Sequence, residues 1–265
     1  MKVRNYIVPI AVTVAVAWTA FCGYQWCWGP FHCLHDLKTR KLPGNAVRYA
    51  PENTEMIENS PLSGKQLIFL GSSVTYGASA KGVSFVDYIA ARNRCNIIKE
   101  AVSGTTLVDN GTDSYIARLK RIKEKQADLF ICQLSTNDSS QKKPLGSIAE
   151  TFRRDSFDTG TVVGAIEFII SYARETWECP VVFYTNPKYN SETYSAMVDL
   201  LREIAVKWDI LVIDMWNDET FNELTSEQRQ LYMADAIHPT QAGYLEWWTP
   251  YMERVMVEIL SKSKI

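Results

Sequence analysis

Four short segments of this chain carry side chains that would act together on a carbonyl carbon. Gly71-Ser72-Ser73-Val74-Thr75-Tyr76-Gly77 sets a serine on a glycine-flanked turn. A serine so placed presents its hydroxyl and keeps its own amide for an anion, and glycine permits the close backbone approach. Ser103-Gly104-Thr105-Thr106 offers a second backbone amide. Ser135-Thr136-Asn137-Asp138 offers a carboxamide donor, the kind of group that stabilises a developing oxyanion. Asp235-Ala236-Ile237-His238 puts a carboxylate three residues before an imidazole. A turn closes that gap, and a carboxylate that holds the tautomer makes histidine a general base.

Each segment alone is ordinary. Serine and glycine fill turns, asparagine and aspartate cap helices, and a surface histidine beside an acid is common. The weight comes from a count. The chain has three histidines, and His32 and His35 fall in the N-terminal stretch, which leaves His238 as the one base in the main domain for an activated serine.

The elements that must position these groups are legible as alternating patterns. Short, largely apolar runs occur at residues 66–70, 96–102, 129–134, 180–184 and 210–215. Runs of this length read as strands buried on both faces. Between them lie helical stripes, Phe85, Val86, Ile89 and Ala90 forming one, and Tyr194, Met197, Val198, Leu201, Ile204 and Ala205 the longest. Strand and helix in alternation imply right-handed crossovers and a three-layer α/β/α sandwich, flavodoxin-like, on a mostly parallel sheet of about five strands. Ligands of such sheets bind beyond the carboxyl ends of the strands, which is where the first three segments fall. The polar stretch 139–160 is long for a loop, and its Lys142, Lys143, Arg153 and Arg154 offer charge for an anionic polymer, against the plainer reading of a solvated loop.

Taken together, in this order and at these strand ends, the segments resemble the SGNH (GDSL-like) hydrolase family. The family blocks are a Ser, a Gly, an Asn and a His, matched here by Ser73, Gly104, Asn137 and His238 over roughly residues 65 to 262. The resemblance implies an acyl-enzyme esterase. Ser73 is then the nucleophile, His238 the base and Asp235 its orienting acid, with Ser73, Gly104 and Asn137 as the oxyanion hole and no cofactor or metal. Two positions depart from the family pattern. Ser72 stands where an Asp is usual, which places a second serine beside the first, and Ser135 stands where a Gly is usual. The implied substrate is an acyl ester, a small acyl group on a carbohydrate or a lipid. An O-acyltransferase with the same triad and a non-catalytic surface binding module are the alternatives.

The N-terminus reads as a separate object. Lys2 and Arg4 precede an uncharged stretch from Tyr6 to Trp28. A helix needs about 20 predominantly apolar residues to cross a bilayer, and Trp18, Trp26 and Trp28 would sit at its outer interface. The expectation is therefore a transmembrane anchor or signal over residues 1–30, a linker over 31–64 and a hydrolase domain over 65–265. The domain would be held outside the cell membrane by one span, or secreted if the N-terminus is cleaved. Six cysteines are present, without zinc spacing in the main domain, and Cys132 in its apolar run reads as core. With charged residues at 22% and a net charge of −2, no basic stripe exists to make nucleic acid the main partner.

Overall fold

The computed structural model describes residues 4–26, 30–31 and 34–262. Five strands form one parallel sheet: β1 (Gln66–Gly71), β2 (Asn96–Ala101), β3 (Leu129–Gln133), β4 (Val181–Tyr184) and β5 (Leu211–Ile213). The order across the sheet is β2-β1-β3-β4-β5. The chain thus works outward from β1 in two directions, and the crevice at this reversal is where such sheets bind ligands.

The helices, in chain order, are α1 (Arg4–Trp26), α2 (Leu34–Thr39), α3 (Ser73–Tyr76), α4 (Phe85–Asn93), α5 (Tyr115–Leu119), α6 (Thr136–Ser140), α7 (Val162–Trp177), α8 (Glu192–Trp208), α9 (Glu219–Asn222) and α10 (Ser226–Tyr232). A π-helical stretch, Gly243–Trp248, then runs into α11 (Thr249–Lys262). Side-chain alternation along the strands divides the core in two. Ile68, Leu70, Phe130, Cys132, Val181 and Phe183 point to the face covered by α5, α7 and α8. Leu67, Phe69, Leu129, Ile131, Val182 and Tyr184 point to the face covered by α4 and α11. A strand with both faces buried needs apolar residues at every position, which is why these segments read as unbroken runs. The three-layer sandwich and its five-stranded sheet match the sequence expectation.

The transmembrane helix does not. No described helix is long and apolar enough to cross a membrane. Helix α1 forms where the anchor was expected, but its apolar run is confined to residues 7–17 and includes Pro9 and Thr13. From Trp18 onward the helix carries Thr19, Tyr24 and Gln25, whose polar groups are costly in hydrocarbon. Its far end is also occupied. Cys22 is buried, and a side chain on Gly23 would lie 2.3 Å from the Phe31 carbonyl, so only glycine lets the chain turn back here. Trp28, Cys27, Cys33 and His32, and the side chain of Trp26, lie outside the described residues.

The stretch read as a linker carries α2 and three short 3-10 turns, and it packs on the domain. Tyr49 and Leu62 are buried, and Tyr88 donates to the Tyr49 carbonyl at 2.5 Å. The carboxamide of Asn45, itself buried, donates to the carbonyls of Thr39 at 3.0 Å and Ser79 at 2.7 Å, and accepts from the amide of Gln241 at 2.8 Å. Among the described residues the cysteines Cys22, Cys95, Cys132 and Cys179 are free thiols, and Cys132 is fully buried in the core.

Candidate active site

Strand β1 ends at Gly71 and the chain turns at once into the single helical turn α3, with Ser72 as its cap and Ser73 as its first residue. The turn leaves α3 through Gly77 at φ +88°, where a side chain would strike Val83 and where only glycine adopts the geometry without strain. The peptide amides at the start of a helix have no partner within the helix. The Ser73 amide is one of them, and it has no acceptor among the described residues.

Four donors converge on one oxygen beneath this turn, the most distant being the Tyr115 hydroxyl at 3.5 Å. Gln133, the last residue of β3, accepts from the Ser72 amide at 2.8 Å, the Ser72 hydroxyl at 3.2 Å and the Thr75 hydroxyl at 2.9 Å, all through Oε1. An amide N–H can only donate, so the orientation of the Gln133 carboxamide is fixed by the Ser72 amide. Its NH2 group is buried without a partner among the described residues. The buried Arg118 braces the same region, donating to the Gly71 carbonyl at 2.8 Å, the Glu100 carbonyl at 2.8 Å and the Thr105 hydroxyl at 3.0 Å. Ser72 therefore faces the interior and is fully buried.

The histidine comes from a loop after α10. Asp235 accepts from the backbone amides of Ile237 and His238, each at 2.8 Å, and a bridge between Met233 and Pro239 closes the loop at its base. His238 Nδ1 lies 2.9 Å from Asp235 Oδ2, and His238 Nε2 lies 2.8 Å from Ser73 Oγ. An ionised carboxylate only accepts, so Nδ1 carries the proton and Nε2 is left to accept from the Ser73 hydroxyl. Burial would raise the Asp235 pKa, but the hydrogen bond and charge of His238 and the two amides outweigh it and hold the carboxyl well below the usual carboxylate range.

The remaining two predicted residues border the same cavity as Ser73. Gly104 has φ +81°, a left-handed geometry that suits glycine, and its amide has no acceptor among the described residues. Asn137 lies on α6 and donates one N–H of its side chain to the Thr105 carbonyl at 3.0 Å, which orients the carboxamide and leaves the second N–H. Asp138, beside it, accepts from the amides of Leu107 at 2.8 Å and Val108 at 3.1 Å, tying α6 to the loop after β2. Burial is the main influence on its carboxyl and raises it above the ordinary value. Asp214 holds Asn217 at 2.8 Å and lies away from this cluster.

All five predicted site residues border a single cavity of about 380 Å³. Its other walls are Ala78, Ser79, Thr136, Ser140, Gln141 and Ile237, together with Gln25 and His35 from the N-terminal stretch. Sequence reasoning assigned no role to these residues or to Gln133 and Arg118. A carboxamide inside the run Phe130-Ile131-Cys132-Gln133-Leu134 was a usable signal, since a buried amide must find partners. His35 gave none, because it lies far from the other blocks in the chain. In the 139–160 loop, Arg153 pairs with Asp155 and Arg154 with Glu175, and neither borders the cavity. Among the described residues no group of three or more His, Cys, Asp or Glu is placed to hold a metal ion.

The arrangement is competent for acyl transfer. It offers a hydroxyl hydrogen-bonded to a base, a carboxylate on that base, and donors for an oxyanion. The sequence matches the model of the GDSL-like lipase/acylhydrolase family over residues 69–245. No curated protein matches it. Among solved structures, a protein of Lactobacillus plantarum superposes with a TM-score of 0.61 at 19% identity, covering 76% of this chain and 98% of the other. A member of the lipolytic protein G-D-S-L family from Veillonella parvula gives 0.54 at 16%, covering 72% and 97%. An acetyl xylan esterase gives 0.53 at 15%, covering 72% and 98%. At these identities the structural likenesses speak for the fold, while the family match covers most of the chain and contains all four segments.

Proposed function

Since the chain belongs to the GDSL-like lipase/acylhydrolase family and is a hydrolase, we propose that it is a serine esterase that removes short acyl groups, acetyl foremost, from hydroxyls of a carbohydrate. The observation that carries this reading is the chain of contacts from Asp235 through His238 to Ser73, closed at 2.9 and 2.8 Å at the edge of the cavity.

In the proposed mechanism Ser73 Oγ attacks the ester carbonyl as its proton passes to His238 Nε2. Asp235 stabilises the imidazolium so formed without taking the proton. The Ser73 and Gly104 amides and the second N–H of Asn137 bind the oxyanion. His238 then returns its proton to the leaving alcohol, and the tetrahedral intermediate collapses to an acyl-enzyme. Water, activated by His238 in turn, releases the acid and restores Ser73. Ser72 takes no part, because its hydroxyl is buried against Gln133.

The cavity supports the short-chain preference. A long acyl chain is bound by burying its methylene groups against apolar walls, at about 0.8 kcal/mol each. Only Ala78 and Ile237 are apolar side chains in this lining, whereas Ser79, Thr136, Ser140, Gln141 and Gln25 are hydrogen-bonding groups. A small acyl group and a hydroxyl-rich alcohol suit that surface. The acetyl xylan esterase among the structural relatives acts on an ester of this class.

The test is labelling of the full chain with a fluorophosphonate, paired with acetate release from acetylated saccharides. Labelling survives Ser72→Ala and vanishes with Ser73→Ala and His238→Ala, and acetate release falls about 10⁴-fold or more with the latter two. Butyrate esters turn over faster than those of chains of eight carbons or more. A folded wild-type protein that neither labels nor releases acetate sinks the reading.

A further inference from the structure

The family match begins at residue 69, yet two walls of the cavity come from residues well before it. Gln25 lies in the last turn of α1 and His35 in α2, and both border the same space as Ser73 and His238. We propose that Gln25 and Ser79, the latter held in place by His35, form the recognition wall for the alcohol part of the substrate, hydrogen-bonding to the free hydroxyls of a sugar. This rests on the esterase reading and names the part of the chain that gives it selectivity.

The geometry is that of a built wall. His35 is 6% exposed, and its Nδ1 lies 2.8 Å from the Tyr24 carbonyl, so Nδ1 bears the proton and donates. In the neutral ring Nε2 is then an acceptor, 3.3 Å from the Ser79 hydroxyl, which donates to it. The Ser79 oxygen retains lone pairs for a hydroxyl arriving from the cavity. Gln25 is held by its other end: Lys38 donates to Oε1 at 2.8 Å, and the NH2 half has no protein acceptor among the described residues. The wall therefore presents an acceptor oxygen and an amide donor to one cavity, the pairing that a sugar hydroxyl, which both donates and accepts, satisfies.

The wall stands on the side where the alcohol leaves. One side chain, Asn45, bonds the Ser79 carbonyl at 2.7 Å and the Gln241 amide at 2.8 Å, so Ser79 lies a carboxamide's width from the segment that follows His238. The oxyanion donors Gly104 and Asn137 are tied to each other instead, since Gln141, which follows α6, donates to the Gly104 carbonyl at 3.2 Å. In the proposed reaction His238 protonates the departing oxygen, so the alcohol occupies the histidine side and meets Gln25 and Ser79. An aryl leaving group has no hydroxyls with which to use them.

The experiment compares full-length wild type, Gln25→Ala and His35→Gln on a monoacetylated glucose and on 4-nitrophenyl acetate, with fluorophosphonate labelling of each. The expected result is a fall in kcat/KM for the sugar ester that exceeds any fall for the aryl ester by roughly fivefold to tenfold per variant, seen mostly in KM. Equal falls on both esters, or an unchanged ratio in variants that label as wild type does, overturn the proposal while leaving the esterase reading intact. Wild type that neither labels nor turns over either ester overturns both. Gln25 is partly exposed at a helix end, so its variant keeps the test open if His35→Gln does not fold.

Discussion

Ser73 and His238 meet at 2.8 Å, but they are held by different kinds of structure. The serine turn is fixed from a distance. Its bonds run to Gln133, about 60 positions away, and through Thr75 to the Tyr184 hydroxyl at 2.6 Å, all in the buried centre of the sheet. The histidine loop is fixed by itself. Asp235 bonds the amides and ring two and three residues ahead of it, and its side chain is 53% exposed. The nucleophile is thus placed by the fold and the base by a turn. The first should fail together with the fold, the second alone.

The sharpest way to break this contrast is Asp235→Asn. The substitution keeps the shape of the loop but removes the charge that fixes the imidazole tautomer. The expected outcome is a kcat lower by about 10²- to 10⁴-fold, with Tm within about 2 °C of wild type. A collapse in Tm would show that the loop is a structural keystone and the contrast false.

Gln133→Leu probes the other side. It leaves the buried Ser72 amide without an acceptor, at about 1–3 kcal/mol for each stranded group, and Tm should fall by roughly 4–10 °C with activity falling in parallel. Unchanged stability with lost activity would mean that Gln133 acts on the reaction and not through the turn.

The smallest effect concerns pH. A carboxyl held below its ordinary value in the folded state adds stability that is present above the unfolded value, about 3.9, and is lost as pH falls through the folded value. The difference in Tm between wild type and Asp235→Asn should be level above about pH 5 and shrink below about pH 4. A difference that grows in acid would reverse the assigned direction.

The same contrast explains what the sequence revealed. Asp235 and His238 could be paired on paper because their contact is local, and the central strands β1, β3 and β4 because burial on both faces leaves an unbroken apolar run. Ser73, Gly104 and Asn137 were found by their position after such runs. Gln133 and Arg118 were not assigned, since a polar residue in a strand or helix does not announce a partner far along the chain. The error over α1 has a related cause. Length and lack of charge suggested a bilayer, but the polar groups from Trp18 onward, and the burial of Cys22 and Gly23 against the rest of the chain, follow from contacts that no local window contains.

Asn45 has a consequence for how the protein is made. It is satisfied only when Gln241, 196 residues later, has been synthesised and brought back beside it. The N-terminal stretch leaves the ribosome first and yet can dock only among the last events of folding, since contacts so distant in sequence are slow to close. A nascent or truncated chain lacking its final segment would hold neither the docked cover nor His238. The protein would therefore stay inert through translation, and its cavity would acquire its walls and its reactivity in one late step.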